Sequence, residues 1–569
     1  MNVKASTRLE VLAQPLFALP LIICLGLLLF FVRLGHPLYT KGEPREGVQV
    51  QDVVEGRGVI LPRAPSVEMP FKPPMMRWLA SLASLAVGRV DEWALRAPSA
   101  ALAVGGMLLC YGYGCVLFDP TAALMAALVL GTNLQYLQAG TGARVDMTLT
   151  FFLSLALWEF LMLAQGLSRR WWLFYLSVAG AILSKGPLGL LLPAAVATAW
   201  SLFERRRFSV RELRLGPGLA LIAVTAGTWY VWASLIGGRG FLLRQIVGEN
   251  FYAFFSDPVL SGGHDHPFYW LEGALLIGFL PWTTFLPWLG AGVFRRLNNP
   301  RVVYLVAWVV VILVFYNFAR QKRGVYLLET YPALASLLGV FLADLIRGFD
   351  GDAPRWVSGL SKTLGIASLA TGGGLFVIFV LAAFAPGVLA NMGALVGLKA
   401  TGVALNLRLA VWRFPISAIL LAAALGGVGW ILFSRAASPA RLFELTTTGT
   451  LCLALTAEMF FVPAIADTLT LKTIALQMPK MVGKCPIAYL GGLSYSVAFY
   501  YRRKIPMLAA GTPDRPPYLL VWRRVYDGMA GQVDGDYAVL MQSGPTELDG
   551  SGGLLLLQRR DFDSAACTS

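Results

Sequence analysis

Residues 143–164 read ARVDMTLTFFLSLALWEFLMLA: Arg144 and Asp146, then a run dominated by apolar side chains. A helix that crosses a bilayer needs about 20 predominantly apolar residues. Charge is expensive in lipid, so Arg144 and Asp146 mark where such a helix leaves the membrane. The pattern recurs along the chain. About thirteen apolar runs begin near Pro15, Pro98, Thr121, Met147, Trp171, Leu188, Leu219, Phe268, Val302, Tyr326, Leu364, Phe414 and Phe443. Of the 569 residues, 57% are hydrophobic and only 14% charged, and the mean hydropathy is +0.64. That excludes a soluble globular protein, a coiled coil and a disordered chain. The runs do not alternate polar with apolar, which argues against an outer-membrane barrel. The fold class is a polytopic α-helical membrane protein.

Loop charge gives the orientation. Five linkers are rich in Arg or Lys: 168–170, 204–214, 295–301, 347–362 and 435–441. With Lys4 and Arg8 inside, all five fall on the cytoplasmic side. The net charge of +15 is therefore expected of an inner-membrane protein, and no nucleic-acid partner is implied. The first run is followed by no small-residue cleavage site and reads as a retained helix.

A transmembrane domain is expected over residues 1–467, with outer loops at 34–92 and 237–267. The first loop holds two helix-like pieces, around Glu43–Glu55 and Pro73–Val87, the second lying in the interface. From 468 to 569 the apolar runs shorten to strand length, at Ile487, Tyr518, Tyr537 and Leu554, between Pro, Gly and Asp. They indicate a small α/β domain on the outer, periplasmic side. Four of the six cysteines lie in apolar runs; Cys485 and Cys567 are the plausible disulfide pair.

The charges at span ends gather at one outer level. They comprise Glu43, Arg45 and Glu46; Lys72; Arg144 and Asp146; Lys185 in a Gly-Pro turn; His264, Asp265 and His266; and Arg320, Lys322 and Arg323, with Glu329 one turn inside. Each has a plain reading. A basic side chain at a helix end snorkels to headgroups. Asp146 opens a helix as a cap or pairs with Arg144. The His-x-His pair suits a divalent metal or an ordinary polar loop. Together, several cations with a few carboxylates suit the phosphate at the head of a lipid. Arg and Lys neutralise it, and a carboxylate orients or deprotonates an acceptor.

In order along the chain, six segments resemble motifs of the GT-C membrane glycosyltransferases. The branch is that of the lipid A aminoarabinose transferases and the protein mannosyltransferase-like bacterial enzymes. The segments are Gly42-Glu43-Pro44-Arg45-Glu46, Phe71-Lys72-Pro73-Pro74, residues 143–152, Ser184-Lys185-Gly186-Pro187, His264 to Tyr269 with Phe279-Leu280-Pro281-Trp282, and Gln321 to Leu328 with Tyr331-Pro332. The likeness is close over about residues 15–345. It implies a GT-C fold and inverting transfer of a sugar from a polyprenyl (undecaprenyl) phosphate to an envelope acceptor. That acceptor is lipid A or a related glycolipid; a protein is the alternative. The implied site faces the periplasm from the bacterial inner membrane.

By resemblance, Arg45, Lys72, Lys322 and Arg323 hold the leaving phosphate. Arg144, Lys185 and Tyr326 complete the donor-binding set, and Asp146 positions sugar or acceptor. His264, with His266, matches a position associated with a divalent metal (Zn, Mg or Mn). Two departures stand out. Gly42 occupies the place of a favoured catalytic Asp, and Phe71 that of a Glu that partners the metal-binding His. Glu43 is then the first substitute carboxylate, Asp146 the second and Glu46 the third. Competing readings are a lipid flippase or transporter, which should carry polar residues through the midplane, and an inactive lipid-binding relative.

Overall fold

The structure is a computed structural model. It describes residues 9–40, 42–62, 72–205, 213–245, 266–348, 355–395, 415–434, 438–508, 516–528, 536–544 and 553–562, with isolated positions 248, 408, 411 and 412. Each predicted apolar run contains helix, the form in which a chain in lipid satisfies its own backbone polar groups. Among the described residues seven helices are long and apolar enough to cross a membrane, or eight with one bent pair; other apolar helices are shorter. The bent pair is the run expected to be the eighth span. Trp270–Gly278 and Trp282–Phe294 meet at 107°. At the break Phe279 is buried, Leu280 is exposed, and the backbone is tied to the bundle. The Leu134 N–H donates to Leu280 O (3.1 Å), and Trp282 Nε1 donates to Thr132 Oγ1 (3.0 Å).

The 92–117 helix sits centrally, packed against helices 15–31, 75–87, 120–132 and 145–164. A buried aromatic column joins the bundle, with Trp158 stacked on Tyr113 (6.0 Å) and edge-on to Trp308 (5.4 Å). Helices 355–384 and 415–434 approach at backbone distance. A Cβ on Gly365 would come within 2.7 Å of Phe433 N, and one on Gly429 within 2.8 Å of Gly365 O. Small residues permit such contact between membrane helices.

The two pieces expected in the first outer loop are helices Gly42–Val54 and Met75–Val87. Asp91 caps the next helix, accepting from the Ala94 N–H, and one turn later Arg96 projects back under the loop. Its side chain has no exposure to solvent. Nε and Nη2 donate to the two oxygens of Glu43 (2.7 and 3.0 Å). Nη1 donates to the carbonyls of Leu34 and His36 (2.7 and 2.6 Å). Glu43 is completed by Thr40 Oγ1 (3.0 Å) and the Ala143 N–H (3.1 Å).

The C-terminal region forms a four-stranded sheet in the order β1-β2-β4-β3: β1 Ile487–Leu490, β2 Tyr518–Trp522, β3 Tyr537–Gln542 and β4 Leu554–Arg559. β1 and β2 are parallel, joined across helix Tyr495–Tyr501, and the other pairings are antiparallel. Helix Lys472–Val482 covers one face through Ile474 and Met478. The opposite face buries Ala488, Leu519, Val521 and Leu557. Cys485 is disulfide-bonded; Cys567, its expected partner, lies outside the described residues. Cys24, Cys110, Cys115 and Cys452 are free.

Removing one member of a buried ion pair leaves the other charge uncompensated, at about 3–5 kcal/mol. Arg96→Met is therefore expected to lower stability by about that much, and adding Glu43→Leu to recover part of it. Denaturant unfolding in detergent measures both. An Arg96→Met loss below about 1 kcal/mol would be incompatible with this clamp.

Candidate active site

Antiparallel helix neighbours bring opposite ends together. Asp146 lies in the first turn of helix 145–164, and Lys185 is the last residue of helix 171–185, which packs against it. A carboxylate at a helix N-terminus and an ammonium at a C-terminus both suit the helix dipole. Lys185 Nζ sits 2.5 Å from Asp146 Oδ1. Gly186 then reverses the chain at φ 77°, and Gly189 folds so close that a Cβ would lie 2.3 Å from the Ala181 carbonyl carbon. The tight turn fixes Lys185 at the boundary.

The same ammonium lies 4.0 Å from Glu329 Oε1 and 4.5 Å from the ring centre of Tyr326. Tyr326 stacks on Tyr316 (5.2 Å). Lys72 and Arg144 stand close enough for their charges to act on Asp146. Arg144 is half-buried. Its backbone N–H donates to Ser99 Oγ (3.3 Å), and its guanidinium has no hydrogen-bond partner among the described residues. Asp146, Lys185, Tyr326, Lys72 and Arg144 therefore form one group.

Glu43 belongs to a neighbouring group and is not free to act as a base. Burial by itself would raise its carboxyl, but the Arg96 charge, the Arg96 hydrogen bonds and the Ala143 N–H hold it down at about 2. A carboxylate so acidic and fully hydrogen-bonded is a weak proton acceptor at neutral pH. Arg45, one-third exposed, lies 3.8 Å from Glu46. Tyr39 bridges the groups. Burial first, then the negative charges of Glu43 and Glu458, raise its phenol above the usual value, against Arg96 and Arg144.

Lys322 is buried, and two of its three donors go to the carbonyls of Ala319 (2.9 Å) and His266 (3.3 Å). It pins two outer loops together. Arg323 is exposed, with no contact to the Asp146 group. The His266 ring lies flat on Trp270, with centroids 4.1 Å apart. His264 and Phe71 lie outside the described residues. Among the described residues no three His, Cys, Asp or Glu side chains gather as metal ligands.

Three contributors were not singled out from the sequence: Arg96, Tyr316 and Glu458. Arg96 reads as an ordinary polar residue before a span. Glu458 left a usable signal, an acid deep within the last apolar run, which the cost of charge in lipid flags.

A family profile described as dolichyl-phosphate-mannose-protein mannosyltransferase matches residues 71–232. An undecaprenyl phosphate-alpha-4-amino-4-deoxy-L-arabinose arabinosyl transferase of Aeromonas salmonicida is 28% identical over 366 residues, 62% of this chain and 65% of that protein. An uncharacterized protein of Aquifex aeolicus is 28% identical over 274 residues, 48% of this chain and 60% of its own length. The chain thus spans slightly under two thirds of the length of these curated relatives. The crystal structure of ArnT from Cupriavidus metallidurans bound to undecaprenyl phosphate superposes with a TM-score of 0.73. It covers 94% of this chain and 97% of that one at 18% identity. The chain has the GT-C glycosyltransferase fold. The GT-C frame accounts for the helical layout and the outer-loop helices, and the side chains above are what this chain places within it.

His36, beside the clamp, offers a test in solution. Burial first, then the Arg96 charge, lowers its pKa from 6.5 to about 4, against the Pro37 carbonyl, Glu43 and Glu92. The unfolded chain therefore binds a proton between these values that the folded chain does not. That part of stability is present above 6.5 and is lost as pH falls toward 4, with a slope of at most about 1.4 kcal/mol per pH unit. The thermal midpoint in detergent should fall over this window, and less steeply in His36→Gln. Parallel curves for the two proteins would contradict the assignment.

Proposed function

We propose that this chain is an integral-membrane, inverting glycosyltransferase. It moves a sugar from a polyprenyl (undecaprenyl) phosphate to an acceptor at the outer face, a lipid A or related envelope glycolipid. The observation that carries this reading is the convergence of Lys72, Arg144, Asp146, Lys185 and Tyr326 from four separate stretches of chain at one membrane boundary. The fold and the relatives' names supply the context.

The chemistry follows from the charges. As the acceptor oxygen bonds to the anomeric carbon, the bond from that carbon to the lipid phosphate breaks and the electron pair leaves with the phosphate. Lys72 and the guanidinium of Arg144 stabilise the departing anion, which then needs no proton. Asp146, held by Lys185, presents a carboxylate to the sugar hydroxyls. Lys185 lies between Asp146 and Glu329, and Lys72 and Arg144 add the positive charge that one ammonium between two carboxylates lacks. Glu43 takes a positioning role through Arg96 and the Ala143 N–H. The basic linkers support an orientation in which this site faces away from the cytoplasm, on the periplasmic side of a bacterial inner membrane.

Lys72→Ala or Asp146→Asn is expected to reduce transfer at least 100-fold while the protein still folds. The assay is purified protein with undecaprenyl-phosphate-linked sugar and lipid A, read by mass spectrometry. Full transfer by both variants would remove these assignments. For topology, a cysteine introduced at Arg205 should be reached by a thiol reagent from the cytoplasmic side only. Labelling from outside intact cells would invert the site.

A further inference from the structure

Glu458 lies in a π-helical turn, Ala457–Phe461, that interrupts the last long apolar helix. Such turns alter the direction of a side chain and occur often at functional sites. This one points Glu458 at the first outer loop. Glu458 is half-buried and accepts one long hydrogen bond, from Thr141 Oγ1 (3.4 Å). Its charge also reaches the Tyr39 phenol. The turn of chain at 141–146 therefore faces Glu458 through Thr141 and Lys185 through Asp146.

The other carboxylates at this level are engaged or shut away, Glu46 being buried with Arg45 at 3.8 Å. Glu43 is saturated by Arg96, Thr40 and Ala143. Asp146 is paired with Lys185. Glu92 accepts from Lys472 and Tyr500. Glu329 has no solvent exposure. The Arg96 charge reaches Glu458, but its hydrogen-bond donors go to Glu43 and to the carbonyls of the 34–37 loop. Beside Glu43 there is room: a Cβ on Gly42 would meet no atom within 4 Å. Charge at the boundary is thus divided. Lys72, Arg144 and Lys185 lie toward one side, and an under-bonded carboxylate lies toward the other.

We infer that Glu458 is the general base for the acceptor, and that the acceptor nucleophile is a hydroxyl group and not a phosphate. This rests on the function proposed above and extends it. A phosphate oxygen is already ionised near neutral pH, needs no base, and would meet a like charge at Glu458. A hydroxyl is a neutral, weak nucleophile that needs its proton removed. In the balanced step the hydroxyl oxygen bonds to the anomeric carbon and its proton passes to Glu458. The carbon–oxygen bond to the lipid phosphate breaks, and that phosphate leaves with the electron pair toward Lys72 and Arg144. Tyr39 and Thr141 flank the carboxylate as hydrogen-bonding neighbours.

The test uses the full-length protein in proteoliposomes with undecaprenyl-phosphate-linked sugar and an envelope lipid extract as acceptor. Wild type, Glu458→Gln and Glu458→Asp are compared. Three readouts are taken: sugar transferred, binding of undecaprenyl phosphate, and survival of the product in mild acid. Glycosyl phosphates are cleaved by mild acid, whereas glycosides of hydroxyl groups survive it. The expected result is an acid-stable product from wild type. Glu458→Gln should be slowed 100-fold or more, with undecaprenyl phosphate bound as in wild type, and the shortened acid in Glu458→Asp should give an intermediate rate. The Gln variant should also lose the rise of rate with pH that a titrating base gives. Wild-type rate in Glu458→Gln, or an acid-labile product from the wild-type protein, overturns the inference. The product readout needs no variant to fold. A wild-type protein that neither binds undecaprenyl phosphate nor transfers sugar would instead overturn the function on which the inference rests.

Discussion

A guanidinium without access to water must have every donor satisfied, and Arg96 meets that demand by organising everything around it. Its partners are one carboxylate, Glu43, and the carbonyls of the loop that leaves the first span. Because Glu43 also accepts from the Ala143 N–H, the clamp reaches the turn that opens helix 145–164. That turn carries Arg144 and Asp146. The geometry of the candidate site thus depends on a charge pair that takes no direct part in it. A buried pair of this kind adds little net stability relative to apolar packing, yet it tolerates no loss of either partner. Its contribution here is specificity of arrangement.

The second organising fact is that Lys185 has two acidic neighbours, Asp146 at 2.5 Å and Glu329 at 4.0 Å. One ammonium between two carboxylates leaves the local sum negative unless another cation is near. Lys72 and Arg144 supply it. In the proposed transfer a phosphate would meet cations already drawn into place by protein carboxylates, so little reorganisation would be required on binding. Charges tied to helix ends at one level do not form a path through the bilayer. The further acid–base contact of the same helix, Glu159 with Arg170, sits at its opposite end with Ser168 and Tyr113. Between the ends, helix 145–164 buries Leu153, Leu157 and Trp158. That arrangement fits a fixed surface site better than a carrier.

What was legible in the sequence follows from where physics is local. Asp146 and Lys185 could be marked because charge beside an apolar run is costly wherever the run packs. The four strands could be marked because turn residues bound short apolar segments. The Arg96–Glu43 pair could not be read, since its members stand 53 residues apart and neither breaks a pattern. Glu43 consequently read as a candidate base when the structure saturates it. Lys322 read as a phosphate ligand, whereas burial commits two of its donors to backbone carbonyls. The break at Gly278–Trp282 was also hidden, because two short helices at 107° leave the same composition as one long helix.

The C-terminal region completes the constraint. Tyr500 receives the Leu38 N–H at its hydroxyl (2.8 Å) and donates to Glu92 (2.9 Å), while Lys472 binds the same Glu92 (2.7 Å). Thr470 donates to the Leu38 carbonyl (3.0 Å). Both backbone polar groups of Leu38 are thereby taken by residues more than 400 positions away, next to the segment Arg96 holds from beneath. Glu92 and Arg96 lie one turn apart on the same helix, so the two grips share a support. A loop held on both faces cannot shift Glu43 without disturbing the sheet-bearing region above it. The outer region therefore acts on the site through the position of Leu38. Substitutions in helix Tyr495–Tyr501 would reach the membrane boundary by this route and not through contact with substrate.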